Sequence, residues 1–297
     1  MRVGALGAFL AVVAAFVGAP AYVDGLQPRE KAALLVVSGL PAPPRVGGVI
    51  LFEADRNAPR PRRALVYTDQ EGGVVKRFPG LPPFQAAAGY RTRAGALAAG
   101  KRTGAALRKV GVDVDLAPVL DAPYGPLGSR HFVRQALGVA FGRGLVAGGV
   151  GACAKHFPGL GSTAVTTDSR QPVTGIVRAS EVAGFRQAVR AGIPCVMVGH
   201  AIYVRFGSRP ASLSRGAYRL LRELGFGGIA ITDELGVVGS DAAGLARGAI
   251  SAGADLVLFS SPDAARRAIR ALLPAARRGA LDEHVGRVLA FRAKYRS

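Results

Sequence analysis

Ile193-Pro194-Cys195-Val196-Met197-Val198-Gly199-His200 is a short, apolar, β-branched run that ends on a polar residue. An amphipathic segment follows at 215–224. A second apolar run at 227–233 ends on Asp233, another amphipathic segment spans 241–252, and a third run occupies 254–259. These runs are apolar throughout rather than alternating, the pattern of parallel strands covered on both faces. Outward from this stretch the same unit recurs. Apolar runs at 34–38, 47–52, 64–69, 112–118 and 151–158 bring the total to eight. Apolar residues at three- and four-residue spacing mark helices at 94–110, 134–147, 180–191, 262–273 and 281–293, with Ser180 as a candidate N-cap. Only the gap 53–63 is too short and Pro-rich for a helix. Eight strands alternating with helices predict an α/β fold, a single-domain (β/α)8 barrel of the TIM type over residues 22–297. The alternative, a doubly wound sheet, would usually carry a Gly-rich dinucleotide turn after an early strand, and no convincing one occurs.

The 297 residues are 49% hydrophobic and 20% charged, a well-cored composition that excludes a disordered chain. Two Cys exclude a disulfide-stapled mini-protein and a Cys-rich metal module. Cys153 and Cys195 fall inside predicted strands among apolar neighbours, where buried free thiols are expected. The formal charge of +20 invites a nucleic-acid reading. The Arg residues are scattered, however, the densest group (Arg60, Arg62, Arg63) sits among prolines, and there is no Trp, so no nucleic-acid partner is expected. At the N-terminus Arg2 precedes an uncharged apolar run at 5–17, followed by Ala19-Pro20-Ala21. This is the pattern of a secretory signal peptide at 1–21, with an uncleaved membrane anchor as its rival. Either way the barrel is expected outside the cytoplasm, secreted or held at the outer face of the cell membrane.

In a barrel the reacting groups lie where strands end. The third run ends in Asp69-Gln70-Glu71-Gly72-Gly73, and the fourth ends near Asp115 and Pro118 with Asp121 beyond. The fifth ends in Lys155-His156-Phe157-Pro158-Gly159, the sixth in His200 and the seventh in Asp233-Glu234. Packing alone does not place acids, Lys and His at five of eight strand ends. No His-x-His or His-Glu-x-x-His pair suggests a metal, and no Gly-x-Ser-x-Gly elbow suggests a serine hydrolase. Carboxylates among donors able to hold hydroxyl groups are what glycoside hydrolysis requires, one acting as nucleophile and one as acid/base. Neither a cofactor nor a metal is called for.

The two longest of these motifs, Asp69 to Gly73 and Lys155 to Gly159, resemble those of family 3 glycoside hydrolases, in particular the single-domain bacterial β-N-acetylhexosaminidases. Further motifs fall in the same order: Gly47 to Phe52, Asp113-Val114-Asp115-Leu116-Ala117-Pro118-Val119, Pro210-Ala211-Ser212-Leu213-Ser214 and Gly253-Ala254-Asp255. The resemblance covers roughly residues 28 to 260 and implies a TIM-type barrel. It also implies a retaining mechanism with Asp233 as the nucleophile that forms a glycosyl-enzyme. Asp69 would accept hydrogen bonds from sugar hydroxyls, and Arg77, Arg130, Lys155 and His156 would complete the sugar site.

The resemblance breaks at the acid/base. This branch carries an Asp-Ser-His dyad on a mobile loop after the fifth strand, and here the stretch reads Thr166-Thr167-Asp168-Ser169-Arg170. Leu160 also stands where the family commonly has His. A His with a pKa near about 6.5 exchanges protons at neutral pH, whereas an Arg above about 12 does not. Three outcomes are open: Asp168 acts directly, Arg170 binds an anion such as phosphate or a lactyl carboxylate, or the site binds sugar without efficient turnover. The expectation is an enzyme that releases terminal β-linked N-acetylglucosamine, with peptidoglycan fragments as substrate and the chain a monomer. The alternative is a non-catalytic or weakly active glycan-binding protein.

Overall fold

The structure, a computed structural model, describes residues 19–169 and 171–296. Most of the proposed leader and Arg170 therefore lie outside the described residues, and no described helix is long and apolar enough to cross a membrane.

Eight parallel strands close into a barrel: β1 Val36–Ser38, β2 Gly48–Leu51, β3 Leu65–Thr68, β4 Val114–Asp115, β5 Gly151–Phe157, β6 Cys195–Val198, β7 Ile229–Glu234 and β8 Leu256–Phe259. Each strand pairs with its sequence neighbours, and Val36 to Ser38 opposite Val257 to Phe259 closes the ring. This is the predicted (β/α)8 barrel. Every residue of seven strands is buried, as continuous apolar runs require, and only β7 ends in two partly exposed residues, Asp233 and Glu234.

Nine helices are described: α1 Ala19–Asp24, α2 Pro28–Leu34, α3 Arg93–Lys109, α4 Gln135–Ala147, α5 Ala179–Arg190, α6 Arg215–Glu223, α7 Ala242–Ala252, α8 Pro262–Arg277 and α9 Asp282–Tyr295. Thr92, Asp241 and Ser261 cap α3, α7 and α8 by accepting from the N–H three residues on. The expected cap at Ser180 is not formed. The helix begins at Ala179, and the Ser180 hydroxyl meets that of Tyr124 at 2.9 Å instead. Helices α3 and α4 pack backbone to backbone, because a Cβ on Gly100 would stand 2.1 Å from the Phe141 carbonyl oxygen.

Three local expectations need correction. The gap between β1 and β2, rich in Pro41, Pro43 and Pro44, carries no helix, so two βα units lack one rather than one; α2, placed before β1, packs on α8 instead. The run at 112–118 pairs regularly only at Val114–Asp115. Pro118 has no N–H, and beyond the strand its carbonyl and that of Ala117 accept from Lys155 and Cys153. Finally, Cys153 and Cys195 are not free: they face each other in the β5–β6 register and form a disulfide, with Cα atoms 4.3 Å apart.

At the N-terminal end of the barrel, the fully buried Asp255 at the start of β8 accepts from the Ala230 N–H at 2.9 Å, Arg222 at 2.7 Å and Arg287 at 2.7 Å. It ties β7, α6 and α9 together. Burial pushes its carboxyl up, but His284, the two guanidinium groups and the Ala230 N–H outweigh that and hold it below its ordinary value. Asp255→Ala strands two arginines, and we expect it to lower unfolding free energy by about 3–5 kcal/mol, read by urea denaturation.

Candidate active site

The C-terminal ends of β3 to β7 surround one mouth. After β3 the chain folds back as a hairpin, Gln70–Gly72 against Val75–Lys76. The Gln70 amide fixes the return, accepting from the Phe78 N–H and donating to the carbonyls of Phe78 and Pro82, all at 3.0 Å. The return brings Arg77 back to Asp69, with Nη2 3.9 Å from Oδ2 and the guanidinium 5.5 Å from the Phe52 ring centre.

Lys155 emerges from β5 into the centre of this arrangement. Its ammonium is 2.5 Å from Asp69 and 2.7 Å from Glu71. Glu71 takes a two-point fork from Arg130, Nε and Nη2 each donating at 2.9 Å. Burial pushes Glu71 up, but the Lys155 and Arg130 charges and their hydrogen bonds outweigh it and hold the carboxyl at about 2. Lys155 moves the other way: burial lowers it, and Asp69 and Glu71 raise it above its ordinary value. Beside them Asp115 accepts from the Gln70 N–H through Oδ1 at 2.9 Å, while its Oδ2 has no hydrogen-bond partner among the described residues. Burial pushes this acid well above its ordinary range, against the Gln70 N–H and Lys155 and with the neighbouring Asp69 and Glu71, which favours its protonated form.

His156 is fixed by Asp121, which meets its Nδ1 at 2.7 Å and accepts from the backbone N–H groups of His156 at 3.1 Å and Leu160 at 2.6 Å. His200 meets the Ser212 hydroxyl through Nδ1 at 2.8 Å and the Glu234 carbonyl through Nε2 at 2.9 Å. Burial lowers its proton affinity, so the neutral ring donates from Nε2 and accepts at Nδ1. Asp233 completes the mouth. Burial would raise its carboxyl, but His200, His156, the Glu234 N–H and Lys155 outweigh that and hold it below its ordinary value, ionised at neutral pH. Asp168 lies exposed in the turn Thr167–Ser169, which packs on the turn Leu235–Val237 just after Asp233. Its charge is felt by both Arg130 and His200.

All seven residues singled out from sequence (Asp69, Arg77, Arg130, Lys155, His156, Asp168 and Asp233) thus converge on one end of the barrel. Sequence reasoning missed the partners Glu71 and Asp121. Both were visible as acids just past strand ends, but their pairing with Arg130 and His156 spans 59 and 35 residues. Among the described residues no group of three or more His, Cys, Asp and Glu is placed to hold a metal ion.

A barrel whose mouth sets several carboxylates among fixed cationic donors is built to bind and cleave a polyhydroxylated molecule. The profile of the glycosyl hydrolase family 3 N-terminal domain matches residues 49–291, and the chain belongs to this family of glycosidases. It is 35% identical over 269 residues to a β-hexosaminidase of Bordetella pertussis, covering 75% of each chain. It also superposes on a family 3 β-N-acetylglucosaminidase of Paenibacillus sp. FPU-7, with a TM-score of 0.78 and 29% identity, over 91% of this chain and 63% of that longer one. A β-N-acetylhexosaminidase of Beutenbergia cavernae gives a TM-score of 0.79 at 27% identity, over 90% of this chain and 99% of that one.

The buried ion cluster has a stability signature. A carboxyl brought from 4.5 to about 2 contributes stability above its unfolded value that is lost as pH falls toward 2, on the order of 3 kcal/mol in full. Glu71→Gln is expected to lower the unfolding free energy by about that amount at neutral pH, with a smaller difference near pH 3. Urea denaturation at the two pH values measures it.

Proposed function

We propose that this protein is a retaining glycosidase that releases terminal β-linked N-acetylglucosamine through a covalent intermediate on Asp233. The observation that carries the reading is the state of Asp233: it lies at the one strand end left partly open to solvent and is held ionised by its surroundings. A nucleophilic carboxylate needs both properties. Asp233 attacks the anomeric carbon as Asp168 gives a proton to the departing oxygen. Asp168 then takes a proton from the water that cleaves the glycosyl ester, restoring both residues and the original anomeric configuration. Asp69, Arg77, Arg130, Lys155 and His156 hold the sugar hydroxyls. In that role Nδ1 of His156 stays on Asp121 and Nε2 faces the ligand.

Peptidoglycan fragments are the proposed source of the sugar. The leader-like 1–21 segment and the charge of +20, suited to an anionic wall, support an exported protein, attached to the membrane or free. The Cys153–Cys195 disulfide supports the same placement, since such bonds persist in oxidising compartments.

A second reading, a glycan-binding protein with little turnover, is favoured by Arg170, which replaces a titratable His with a permanent cation. Release of 4-nitrophenol from its β-N-acetylglucosaminide and its β-glucoside separates the two. The enzyme reading predicts turnover of the first substrate, reduced to background in Asp233→Asn. Asp168→Asn should lose about 10²–10⁴-fold on a glycoside with a poor leaving group and far less on the nitrophenyl one. Folded protein that binds the sugar and turns over neither substrate contradicts it.

A further inference from the structure

Glu181, in the first turn of α5, is wholly buried, and among the described residues the N–H groups of Gly161 and Ser162 face its carboxylate without completing a well-formed hydrogen bond to either oxygen. It lies against the turn at 159–162 that leaves β5. A Cβ on Gly159 would stand 2.4 Å from Oε2, and one on Gly161 3.0 Å from Oε1, so two glycines admit the close approach. The other side of the turn is fixed: Asp121 holds the Leu160 N–H, and the Tyr203 hydroxyl donates to the Gly159 carbonyl at 2.6 Å. Beyond it, the Thr163 hydroxyl meets the carbonyls of Leu160 and Val165, and the chain runs on to Asp168. The turn is therefore the base from which Asp168 is presented.

The groups around Glu181 come from every neighbouring element. After β4 stand Asp121 and Tyr124, and α4 offers Gln135, whose amide donates to the Glu181 backbone carbonyl at 3.2 Å. Arg178 and Ser180 flank it on its own helix, and Tyr203 lies beyond β6. Arg178 brings the one cation among these, while Asp121 is a carboxylate already committed to three donors. Burial and then Asp121 push Glu181 up to about 7, against the pull of Arg178 and the N–H groups of Gly161 and Ser162. An acid raised in the packed state holds its proton more tightly there than in an open one. Packing is then favoured in full at low pH, and that advantage is lost as pH rises through about 7.

We propose that Glu181 is a positioning residue that must be uncharged for the 159–162 turn to lie on it, so that its ionisation lifts the loop and withdraws Asp168 from the mouth. The proposal rests on the role given to Asp168 above. It makes the enzyme an acid-side catalyst through a group that touches neither sugar nor nucleophile.

The test follows amide hydrogen exchange of residues 160–169 across neutrality, corrected for the intrinsic pH dependence, alongside kcat on a glycoside with a poor leaving group. In the wild type, protection and kcat should fall together around pH 7, kcat approaching about a tenfold loss per pH unit. Glu181→Gln, neutral and of the same shape, should keep the loop protected and the rate high on the alkaline side. Arg178→Ala removes a cation that favours the carboxylate and should move both midpoints to higher pH. The two variants leaving the midpoints unmoved would overturn the proposal, and if Glu181→Gln does not fold, the Arg178→Ala shift decides alone. Exchange also reads the loop without turnover, so an inactive wild type would count against the hydrolase reading while this inference is still decided.

Discussion

Lys155 keeps its charge at a position only 3% exposed, and an ammonium is stable there because Asp69 and Glu71 meet it at 2.5 and 2.7 Å. Removing an ion from water costs several kcal/mol, so each member of the cluster constrains the next. Two carboxylates about one ammonium leave an excess negative charge, which Arg130 offsets through its fork to Glu71. Asp115, a third acid at the same place, is pushed toward its protonated form by burial and by those two carboxylates. The barrel mouth is thus a closed electrostatic system that fixes the β3 hairpin, the end of β5 and the Arg130 turn relative to one another.

That rigidity bears on the chemistry. Donors held by buried ion pairs do not have to reorganise when a sugar arrives, which is the physical content of preorganisation. Glu71, Asp121 and Ser212 position Lys155, Arg130, His156 and His200, so a second layer of side chains orients the groups that face the mouth. Asp233 gains from the same field, with His156 and Lys155 both favouring its ionised form. Asp168, by contrast, sits exposed on the loop rather than in the cluster. The proposed nucleophile is built into the frame and the proposed acid/base is delivered to it.

The barrel was legible in the sequence because parallel strands buried on both faces must be apolar throughout, and runs such as 193–200 and 227–233 carry that signature without an alignment. Connections were less so. The proline-rich gap after β1 resembled the one after β2, yet only the second was read as lacking a helix. The Cys153–Cys195 bond was invisible because periodicity finds strands but not register, and only register shows that the two sulfurs face each other. At the site, strand-end position revealed which side chains reach the mouth. Their partners were hidden, since a pair such as Arg130 and Glu71 is set by three-dimensional closure rather than by local spacing. Glu181 was missed for another reason: on a helix it reads as an ordinary first-turn acid, and only the overlying glycine turn makes it unusual.

The central claim is that Asp233 becomes covalently bonded to the sugar. A slow 2-deoxy-2-fluoro glycoside with a good leaving group lets the glycosyl-enzyme accumulate, and mass spectrometry of the digested protein locates the added mass. The account predicts a single glycosyl adduct on Asp233 and a first-formed product of retained anomeric configuration. An adduct on Asp69 or Asp168, or inverted product with no adduct, would contradict it.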